Sequence, residues 1–302
     1  MTLSTKEKKY FAIINPISGI RKKYRIPTML AEAFSGKNER IFFSFTKGKG
    51  DASLLVQQAI KNNVDAIIAV GGDGTINEIA GALYNSRIPL GIVPKGSGNG
   101  LARTLGLPLD KEEEAIEIIK QGGTTAIDTA FANGIPFFCT FGVGFDAAVT
   151  QRYAQASTRG ISSYIISAIE EYFSFRPKHY RITSEGKTIE REAMLVTCAN
   201  IDQYGNNAFI APHASPSDGK IDLIIAGNTT GIEVPQMALQ LFTNNIDKNR
   251  KIESLRSDHI VIERDQPGVV QLDGESLKMG KQIEISISAR SLEIYTPRTK
   301  TE

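Results

Sequence analysis

A run of buried-strand type that ends in a glycine cluster and passes directly into a helical pattern constrains this chain most. The strand run is Val64–Val70, the cluster is Gly71-Gly-Asp-Gly-Thr75, and the helical pattern covers Thr75–Tyr84. Glycine removes the Cβ atoms that would hold an anion away, and the free N–H groups at a helix start point toward it. The junction therefore predicts a phosphate-binding turn at the end of a parallel strand.

Strands and helices alternate through the first half of the chain, which predicts a parallel α/β sheet. Further strands are expected at 10–14, 40–45 and 88–93, and helices at 26–34, after a capping Asp51, and after a capping pair of Asp110 and Glu113. Loops of similar character follow the other strands, at Asn15–Gly19, Thr46–Asp51 and Pro94–Arg103. Because ligands bind at the carboxyl ends of strands in open α/β sheets, we expect all four loops to serve one site.

Asp73 lies inside the first glycine cluster, where its charge would oppose a phosphate. Two unit charges about 4 Å apart repel by about 4 kcal/mol at an effective dielectric constant of about 20. A divalent cation reverses that sign, so Asp73 predicts Mg²⁺ alongside bound phosphates. The alternative is a tight turn that Asp73 merely caps.

The second half of the chain is richer in strands, which predicts a separate β-rich domain after a boundary near residue 130. Two helices, 161–173 and 234–242, interrupt the strands, and Ser184-Glu-Gly-Lys187 predicts a hairpin turn. The two cysteines, Cys139 and Cys198, match no metal spacing and are expected to be reduced core residues.

Composition excludes several classes of protein. The 35 Lys+Arg residues nearly balance the 33 Asp+Glu residues, so bulk charge does not predict nucleic-acid binding. No apolar run is long enough for a membrane-spanning helix, and the polar N-terminus does not resemble a signal peptide, so we expect a cytoplasmic protein.

The Walker A and protein-kinase motifs are missing, which excludes these two kinase architectures. Gly142-Val-Gly-Phe-Asp-Ala147 resembles a dinucleotide fingerprint but lacks the expected acidic partner.

Six motifs in order resemble the lipid-kinase superfamily that contains the soluble diacylglycerol kinases, sphingosine kinases and ceramide kinases. They are Asn15-Pro-Ile-Ser-Gly19, Gly71-Gly-Asp-Gly-Thr-Ile-Asn-Glu78, Pro94-Lys-Gly-Ser-Gly-Asn99, Gly142-Val-Gly-Phe-Asp-Ala147, Ile210-Ala-Pro212 with Ser217-Asp-Gly219, and Leu272-Asp-Gly-Glu275. The resemblance implies an α/β fold: a phosphofructokinase- and NAD-kinase-like three-layer domain, 1–130, completed by about 288–302, and a β-sandwich-like lipid-substrate domain, 131–287.

The resemblance also implies ATP as co-substrate, Mg²⁺ as cofactor and a set of site residues. The ATP site would comprise Asn15, Pro16, Ser18, Gly19, Thr46, Gly71, Gly72, Asp73, Gly74, Thr75, Asn77, Glu78, Gly96, Ser97 and Asn99. Glu275 is similar to the general base of bacterial members, whereas sphingosine-type members give that role to the residue matching Asp73, so both stay candidates. Asp128 resembles an aspartate that faces the lipid headgroup and the water shell of the metal. Asp218, with the carbonyls of Ser215 and Lys220, resembles a structural Mg²⁺ site.

Two positions depart from the bacterial pattern of this family. Gly100 stands where bacterial diacylglycerol kinases usually carry an aspartate, and Asn206 and Asn207 stand where many relatives have glycine. The expected reaction is phosphorylation of a primary hydroxyl on a diacylglycerol-like or sphingoid lipid. Its substrate lies in a membrane, so we expect transient, peripheral membrane contact. The oligomeric state stays open, a homodimer included.

Two other functions compete with this one. An NAD kinase shares the Gly-Gly-Asp-Gly-Thr motif and a similar fold, although the motifs at Asn15–Gly19, Pro94–Asn99 and Leu272–Glu275 fit lipid kinases better. A regulator that binds nucleotide and lipid without turnover is the non-enzymatic alternative.

Overall fold

The computed structural model describes residues 7–17, 25–156 and 161–298. Two compact units divide these residues, with unit 1 formed by residues up to 127 and from 290, and unit 2 by Asp128–Ala289. The division falls inside two strands, Thr124–Ala132 and Gln282–Tyr295, each of which contributes one end to each unit.

Unit 1 is built around parallel strands covered by helices. In chain order its elements are β1 Lys8–Ile14, α1 Ile26–Ala33, β2 Glu39–Phe45, α2 Asp51–Lys61, β3 Ala66–Gly71, α3 Asp73–Leu83, β4 Leu90–Pro94, α4 Gly100–Thr104, α5 Glu112–Gln121 and the start of β5 Thr124–Ala132. Strand order is β2-β1-β3-β4, all parallel. All six residues of β3 are buried, as expected of a central parallel strand. The strand Gln282–Tyr295 joins beside β4, where Ile294 pairs with Leu90.

Two expected helix starts in unit 1 are wrong. Asp51 is the first residue of α2 rather than its cap, because Gly50 occupies the capping position in a left-handed conformation. The Asp51 carboxylate accepts a hydrogen bond from the N–H of Lys47 instead, at 2.7 Å. At α5 the cap is Lys111 without a side-chain hydrogen bond, and Asp110 has a φ of 56°. Local turn geometry displaced both carboxylates from the capping position.

Unit 2 is a sandwich of two mainly antiparallel sheets, with two helices on one connection and a third helix on another. Its elements are the end of β5, then β6 Ile135–Phe137, β7 Thr140–Gly144, α6 Phe145–Gln155, α7 Ile161–Ser174, β8 Lys178–Ser184, β9 Lys187–Ala193, β10 Leu195–Ala199, β11 Ile221–Ala226, α8 Val234–Phe242, a 3₁₀ turn at Ile246–Lys248, β12 Ile252–Ser257, β13 His259–Arg264, β14 Gly268–Leu272, β15 Glu275–Met279 and the start of β16 Gln282–Tyr295.

The two sheets of unit 2 share one apolar core. One sheet has the strand order β12-β11-β10-β7-β14-β15, and the other contains β16, β13, β8 and β9. Phe141 and Val196 from the first sheet and Tyr180 and Ile260 from the second are buried in the same cluster. Alternate residues of most of these strands face this core, which is the pattern of a β-sandwich. The structure therefore confirms the predicted fold class of an α/β domain with a β-sandwich domain.

The predicted hairpin at Ser184–Lys187 is present. Ser184 pairs with Lys187 across the β8–β9 ladder, and Glu185 and Gly186 between them have φ values of 50° and 75°. Two consecutive positive φ angles define the tight turn whose twist matches antiparallel strands. Of the two cysteines, both free, Cys198 is buried in the core and Cys139 is partly exposed.

Candidate active site

The turn between β3 and α3 presents the start of a helix to the carboxyl end of the sheet. Gly72 is the extended residue before the helix, and the N–H of Ile76 makes the first bond of the helix, to the carbonyl of Gly72 at 3.0 Å. The N–H groups of Asp73, Gly74 and Thr75 therefore have no partner inside α3. With the helix dipole, these groups form a positive end suited to a phosphate.

The loop after β4 packs directly against this turn. The N–H of Lys95 donates to the carbonyl of Gly71 at 2.7 Å. A Cβ on Gly72 would lie 3.0 Å from the Cα of Gly96, and a Cβ on Gly96 would lie 2.8 Å from the Cα of Gly72. Backbone meets backbone at this point, so a side chain at either position would push the loops apart. The close approach of the two backbones therefore requires glycine at both positions.

Asp73 connects the two loops through both of its carboxylate oxygens. Oδ2 accepts a hydrogen bond from the N–H of Asn99 at 2.8 Å, and Oδ1 accepts one from the N–H of Gly100 at 2.9 Å. The Asn99 side chain in turn closes its own loop, since Oδ1 accepts from the N–H of Gly96 at 2.9 Å and Nδ2 donates to the Gly96 carbonyl at 2.8 Å. A network of charged and neutral bonds thus holds the glycine loops together.

Two further predicted residues tie neighbouring loops to α3. The Nδ2 group of Asn15, at the end of β1, donates to Oγ1 of Thr75 at 2.9 Å. Glu78 accepts a hydrogen bond from the N–H of Gly50 at 3.0 Å, which anchors the loop after β2. Thr46 begins that loop and is buried, with its N–H bonded to the carbonyl of Ile14 at 3.0 Å. The structure brings the described parts of all four loops to one edge of the sheet in unit 1.

The remaining members of the predicted ATP site differ in their surroundings. Pro16 lies in the turn after β1, Asn77 is half-buried on α3, and Ser97 is exposed. Ser18 and Gly19 lie outside the described residues. Lys95 of the second glycine loop is buried and forms an ion pair, with its Nζ 2.5 Å from Oε1 of Glu112. The Nε of Arg103 donates to the carbonyl of Gly98 at 2.8 Å, so that side chain supports the second loop.

The chemistry of this edge fits a magnesium-bound triphosphate. Mg²⁺ in nucleotide sites keeps several waters and binds few carboxylates besides the phosphates. Within the described ranges, no group of three His, Cys, Asp or Glu side chains forms a metal cluster, and Asp73 is the half-buried acid beside the free helix N–H groups. Among these residues, the position of Asp73 suits a carboxylate that would hold a magnesium ion through its waters beside a phosphate.

Asp128 belongs to unit 2 and is completely buried there. Its Oδ2 accepts a hydrogen bond from the N–H of Gly219 at 2.7 Å, and its own N–H donates to the carbonyl of Pro216 at 2.6 Å. Asn200 contacts the same strand, since its Nδ2 donates to the Asp128 carbonyl at 3.2 Å. Asp128 therefore fixes the segment that contains Ser215, Asp218 and Lys220.

The predicted structural magnesium site at Asp218 does not fit the structure. Oδ1 of Asp218 accepts a hydrogen bond from the N–H of Lys220 at 2.9 Å, and Oδ2 forms an ion pair with the Nη2 group of Arg256. Magnesium requires near-octahedral oxygen ligands at about 2.0–2.1 Å. A guanidinium already occupies the carboxylate and would repel a second cation.

Glu275 is the first residue of β15 and follows a two-residue turn. Leu272 pairs with Glu275, and Asp273 and Gly274 between them have φ values of 48° and 79°. The Asp273 carboxylate accepts three backbone hydrogen bonds, from Phe138 at 2.7 Å, Cys139 at 2.8 Å and Thr140 at 2.9 Å. Sequence reasoning treated Asp273 only as part of a motif, although its Asp-Gly pair is a strong hairpin signal. Asp273 thus positions Glu275.

Asp146 is a buried acid to which the sequence assigned no role. It lies in the first turn of α6, where its oxygens accept bonds from the N–H of Ala147 at 2.7 Å and Oγ1 of Thr197 at 2.9 Å. Burial raises the pKa of Asp146 to about 7, while these bonds oppose the rise. A Cβ on Gly142 would lie 1.9 Å from Oδ2 of Asp146, which explains the first glycine of Gly142-Val-Gly.

Two protein-family models match successive parts of the chain. Residues 9–132 match the diacylglycerol kinase catalytic domain. Residues 139–295, more than half of the chain, match the YegS C-terminal NAD kinase beta sandwich-like domain.

Curated relatives carry names that agree with these matches. A probable lipid kinase YegS of Escherichia coli O6:K15:H31 is 31% identical, over 85% of this chain and 86% of the relative. The diacylglycerol kinase of Bacillus subtilis strain 168 is 27% identical over 96% of this chain and 97% of the relative. The diacylglycerol kinase of Mycobacterium tuberculosis strain H37Rv is 29% identical over 82% of each.

Solved structures support the fold. A crystal structure of a diacylglycerol kinase from Bacillus anthracis strain Sterne superposes with a TM-score of 0.73 at 24% identity, covering 98% of each chain. An α/β domain with glycine loops at its strand ends and a β-sandwich domain define the class of kinases with a diacylglycerol kinase catalytic domain. This chain belongs to the family of diacylglycerol kinases and YegS-like lipid kinases.

Proposed function

We propose that the chain transfers the γ-phosphoryl group of ATP to a primary hydroxyl of a diacylglycerol-like or sphingoid lipid. The observation that carries this proposal is the pair of glycine loops joined by Asp73 at the free N-terminus of α3. Phosphoryl transfer depends on positioning and charge neutralisation more than on covalent chemistry. An edge of the sheet with rigid backbone donors and one carboxylate supports both requirements.

The nucleotide contacts follow from the donors at this edge. The N–H groups of Asp73, Gly74 and Thr75 bind phosphate oxygens, and Asn15 and Asn99 keep the surrounding loops in place. Bound magnesium supplies positive charge that offsets the phosphate charge and the carboxylate of Asp73. Because hydrogen bonds already hold the described backbone donors in place, these donors need little further ordering when ATP binds.

The acceptor hydroxyl must lose its proton as the phosphoryl group arrives. We assign the role of accepting this proton to Glu275, because Asp73 already joins the two glycine loops and is the residue that we propose holds the metal. The three bonds to Asp273 hold the turn that precedes Glu275, which favours a fixed orientation for a base. Asp128 acts through the 216–219 segment that it anchors.

Membrane contact follows from the proposed acceptor. Among the described residues, no helix combines the length and apolar character that crossing a bilayer requires. Helix α7 instead exposes Ile165, Ile166, Ile169 and Phe173, with exposed fractions of 42%, 55%, 53% and 74%. Apolar side chains along one helix face are suited to shallow insertion at a lipid surface. Cosedimentation with vesicles, compared between the native chain and an Ile169→Asp, Phe173→Asp variant, tests this contact.

One set of parallel assays tests the proposed function. Radiolabelled ATP is supplied with Mg²⁺ and with diacylglycerol, sphingosine, ceramide, phosphatidylglycerol or NAD, each with the native chain and with Asp73→Asn. We expect label in one of the lipids and none in NAD, and loss of labelling in the variant. Label in NAD would establish the NAD kinase alternative, and no turnover on any acceptor would establish the non-catalytic regulator.

A further inference from the structure

The segment 215–220 of unit 2 has a cation of its own, the guanidinium of Arg256. Nη2 of Arg256 forms an ion pair with Oδ2 of Asp218, and Nε lies 3.3 Å from Oδ2 of Asp222. The side chain of Asp222 is only 7% exposed, whereas that of Arg256 is 48% exposed. One guanidinium therefore forms an ion pair with a loop carboxylate and lies close to a carboxylate of the core sheet, whose Oδ2 accepts no hydrogen bond within the described residues.

The register of the sheet places this guanidinium. Asp222 of β11 lies directly opposite Arg256 of β12 in the antiparallel ladder. Side chains of such pairs are neighbours on the same face, and a planar guanidinium can serve two carboxylates at once. Asp218 precedes β11 by three residues, so the arginine opposite Asp222 also reaches the loop.

The rest of the segment is also held by groups of the protein. The N–H of Lys220 bonds Oδ1 of Asp218 at 2.9 Å, and Nζ of Lys220 lies 3.0 Å from Oδ2 of Asp258. Gly219 donates its N–H to Asp128 at 2.7 Å. These contacts fix the backbone of the segment from both sides.

We propose that Arg256 is the resident cation of this segment and takes the place that the family resemblance gives to a structural magnesium ion. The β-rich unit then folds and keeps its stability without a divalent cation. Any requirement of the protein for magnesium arises only with the nucleotide, in the other unit. The proposal concerns stability and is independent of which acceptor the enzyme phosphorylates.

Thermal unfolding without nucleotide tests the proposal. The native chain, Arg256→Gln, Arg256→Lys and the control Arg191→Gln are compared in EDTA and in 10-fold steps of Mg²⁺. Arg191 is a matched control because it is 40% exposed and bonds both oxygens of Glu253, in the same strand β12, at 3.0 Å. Circular dichroism at low temperature first establishes that each variant is folded.

We expect the native midpoint to be the same in EDTA and in Mg²⁺. Arg256→Gln should unfold at a lower temperature than Arg191→Gln, and Mg²⁺ should restore it, because two carboxylates have lost their cation. Arg256→Lys should lie between the two, since a lysine keeps the charge without the planar fork. If Arg256→Gln does not fold, the native chain, Arg256→Lys and Arg191→Gln still provide the test, because the lysine variant retains the charge.

Two results would overturn the proposal. A native midpoint that rises with Mg²⁺, and no longer rises in Asp218→Asn, would show that the segment binds a divalent ion beside Arg256. Equal midpoints of Arg256→Gln and Arg191→Gln, without a response to Mg²⁺ in either, would show that the guanidinium has no special role. Adding Asp218→Asn to Arg256→Gln should abolish the rise of the midpoint with Mg²⁺. If the rise persists in the double variant, the ion binds outside this segment, which would also contradict the proposal.

Discussion

The carboxylate of Asp73 illustrates how one residue can serve a ligand through the backbone. Its oxygens accept the N–H groups of Asn99 and Gly100, so the charge holds two loops at the start of α3. Hydrogen bonds to a charged group are worth about 1.5–3 kcal/mol each, and an asparagine can accept only through its single oxygen. Asp73 thus links the geometry of the two loops with the proposed nucleotide site.

Asp73→Asn should abolish transfer and weaken Mg·ATP binding at least tenfold, because one loop contact and the negative charge are lost together. Isothermal titration with a non-hydrolysable ATP analogue measures the affinity. Asp65→Asn is the matched control, since Asp65 also accepts a backbone hydrogen bond, from Lys9 at 2.8 Å, at the opposite end of β3. Unchanged affinity in Asp73→Asn would refute its place in the nucleotide site.

Glu275→Gln should lower kcat by about 10²–10⁴, the range of a general base, while ATP affinity stays nearly the same. The amide cannot take the proton of the acceptor hydroxyl, but the nucleotide loops are unchanged. Steady-state kinetics and the same titration separate the two effects. An equal loss of ATP affinity in Glu275→Gln and Asp73→Asn would overturn this division of roles.

At the scale of elements, the approach of the two glycine loops limits what can stand between them. Gly72→Ala should lower ATP affinity at least tenfold, because its Cβ would lie 3.0 Å from the Cα of Gly96 and backbone cannot rotate away. Gly231→Ala serves as the control, since a Cβ there meets nothing within 4 Å. Equal affinities in both variants would show that the loops separate without consequence.

The junction of β7 and α6 makes stability depend on pH through Asp146. Its pKa of about 7 in the folded chain exceeds the value of about 3.9 for a free aspartate. The folded state therefore binds the extra proton between these values, and stability falls as pH rises through that window. From pH 5 to pH 8 the loss due to this group is about 2–3 kcal/mol.

Asp146→Asn should remove that contribution, because an amide does not titrate. Urea unfolding at pH 5 and pH 8 measures the difference between the native chain and the variant, so titrations common to both cancel. The free energy of unfolding of the variant, taken relative to that of the native chain, should be higher at pH 8 than at pH 5. A difference that is the same at both pH values would contradict the raised pKa of Asp146.

At the scale of the whole molecule, stabilisation by ligands separates the two roles of magnesium. A ligand at 100 times its Kd stabilises the folded state by about 2.7 kcal/mol. We expect Mg²⁺ alone to leave the thermal midpoint unchanged and Mg·ATP to raise it, with a smaller rise for ATP in EDTA. Scanning fluorimetry measures all three, with NAD as a control nucleotide. An equal rise with and without magnesium would refute metal-linked binding.

Much of the first unit was predictable because its signals are local. The alternation of strands and helices and the glycine clusters depend on neighbours in the chain, and β1, β2, α1 and α3 lie within a few residues of their predicted bounds. The two wrong predictions concern helix starts, which depend on backbone angles. Asp51 and Asp110 have the residue type of helix caps, but the φ angles of the turns decided where each helix began.

The amino-acid sequence by itself determined the fold class, the family and the loops that carry the site, because glycine spacing and strand periodicity are properties of short segments. Tertiary structure alone decided which partner each carboxylate has. Asp73 meets Asn99 and Gly100, Asp273 meets the N–H groups of 138–140, and Asp218 meets Arg256. These partners are distant in the chain, and only the pairing of strands and loops in three dimensions brings them within hydrogen-bond reach.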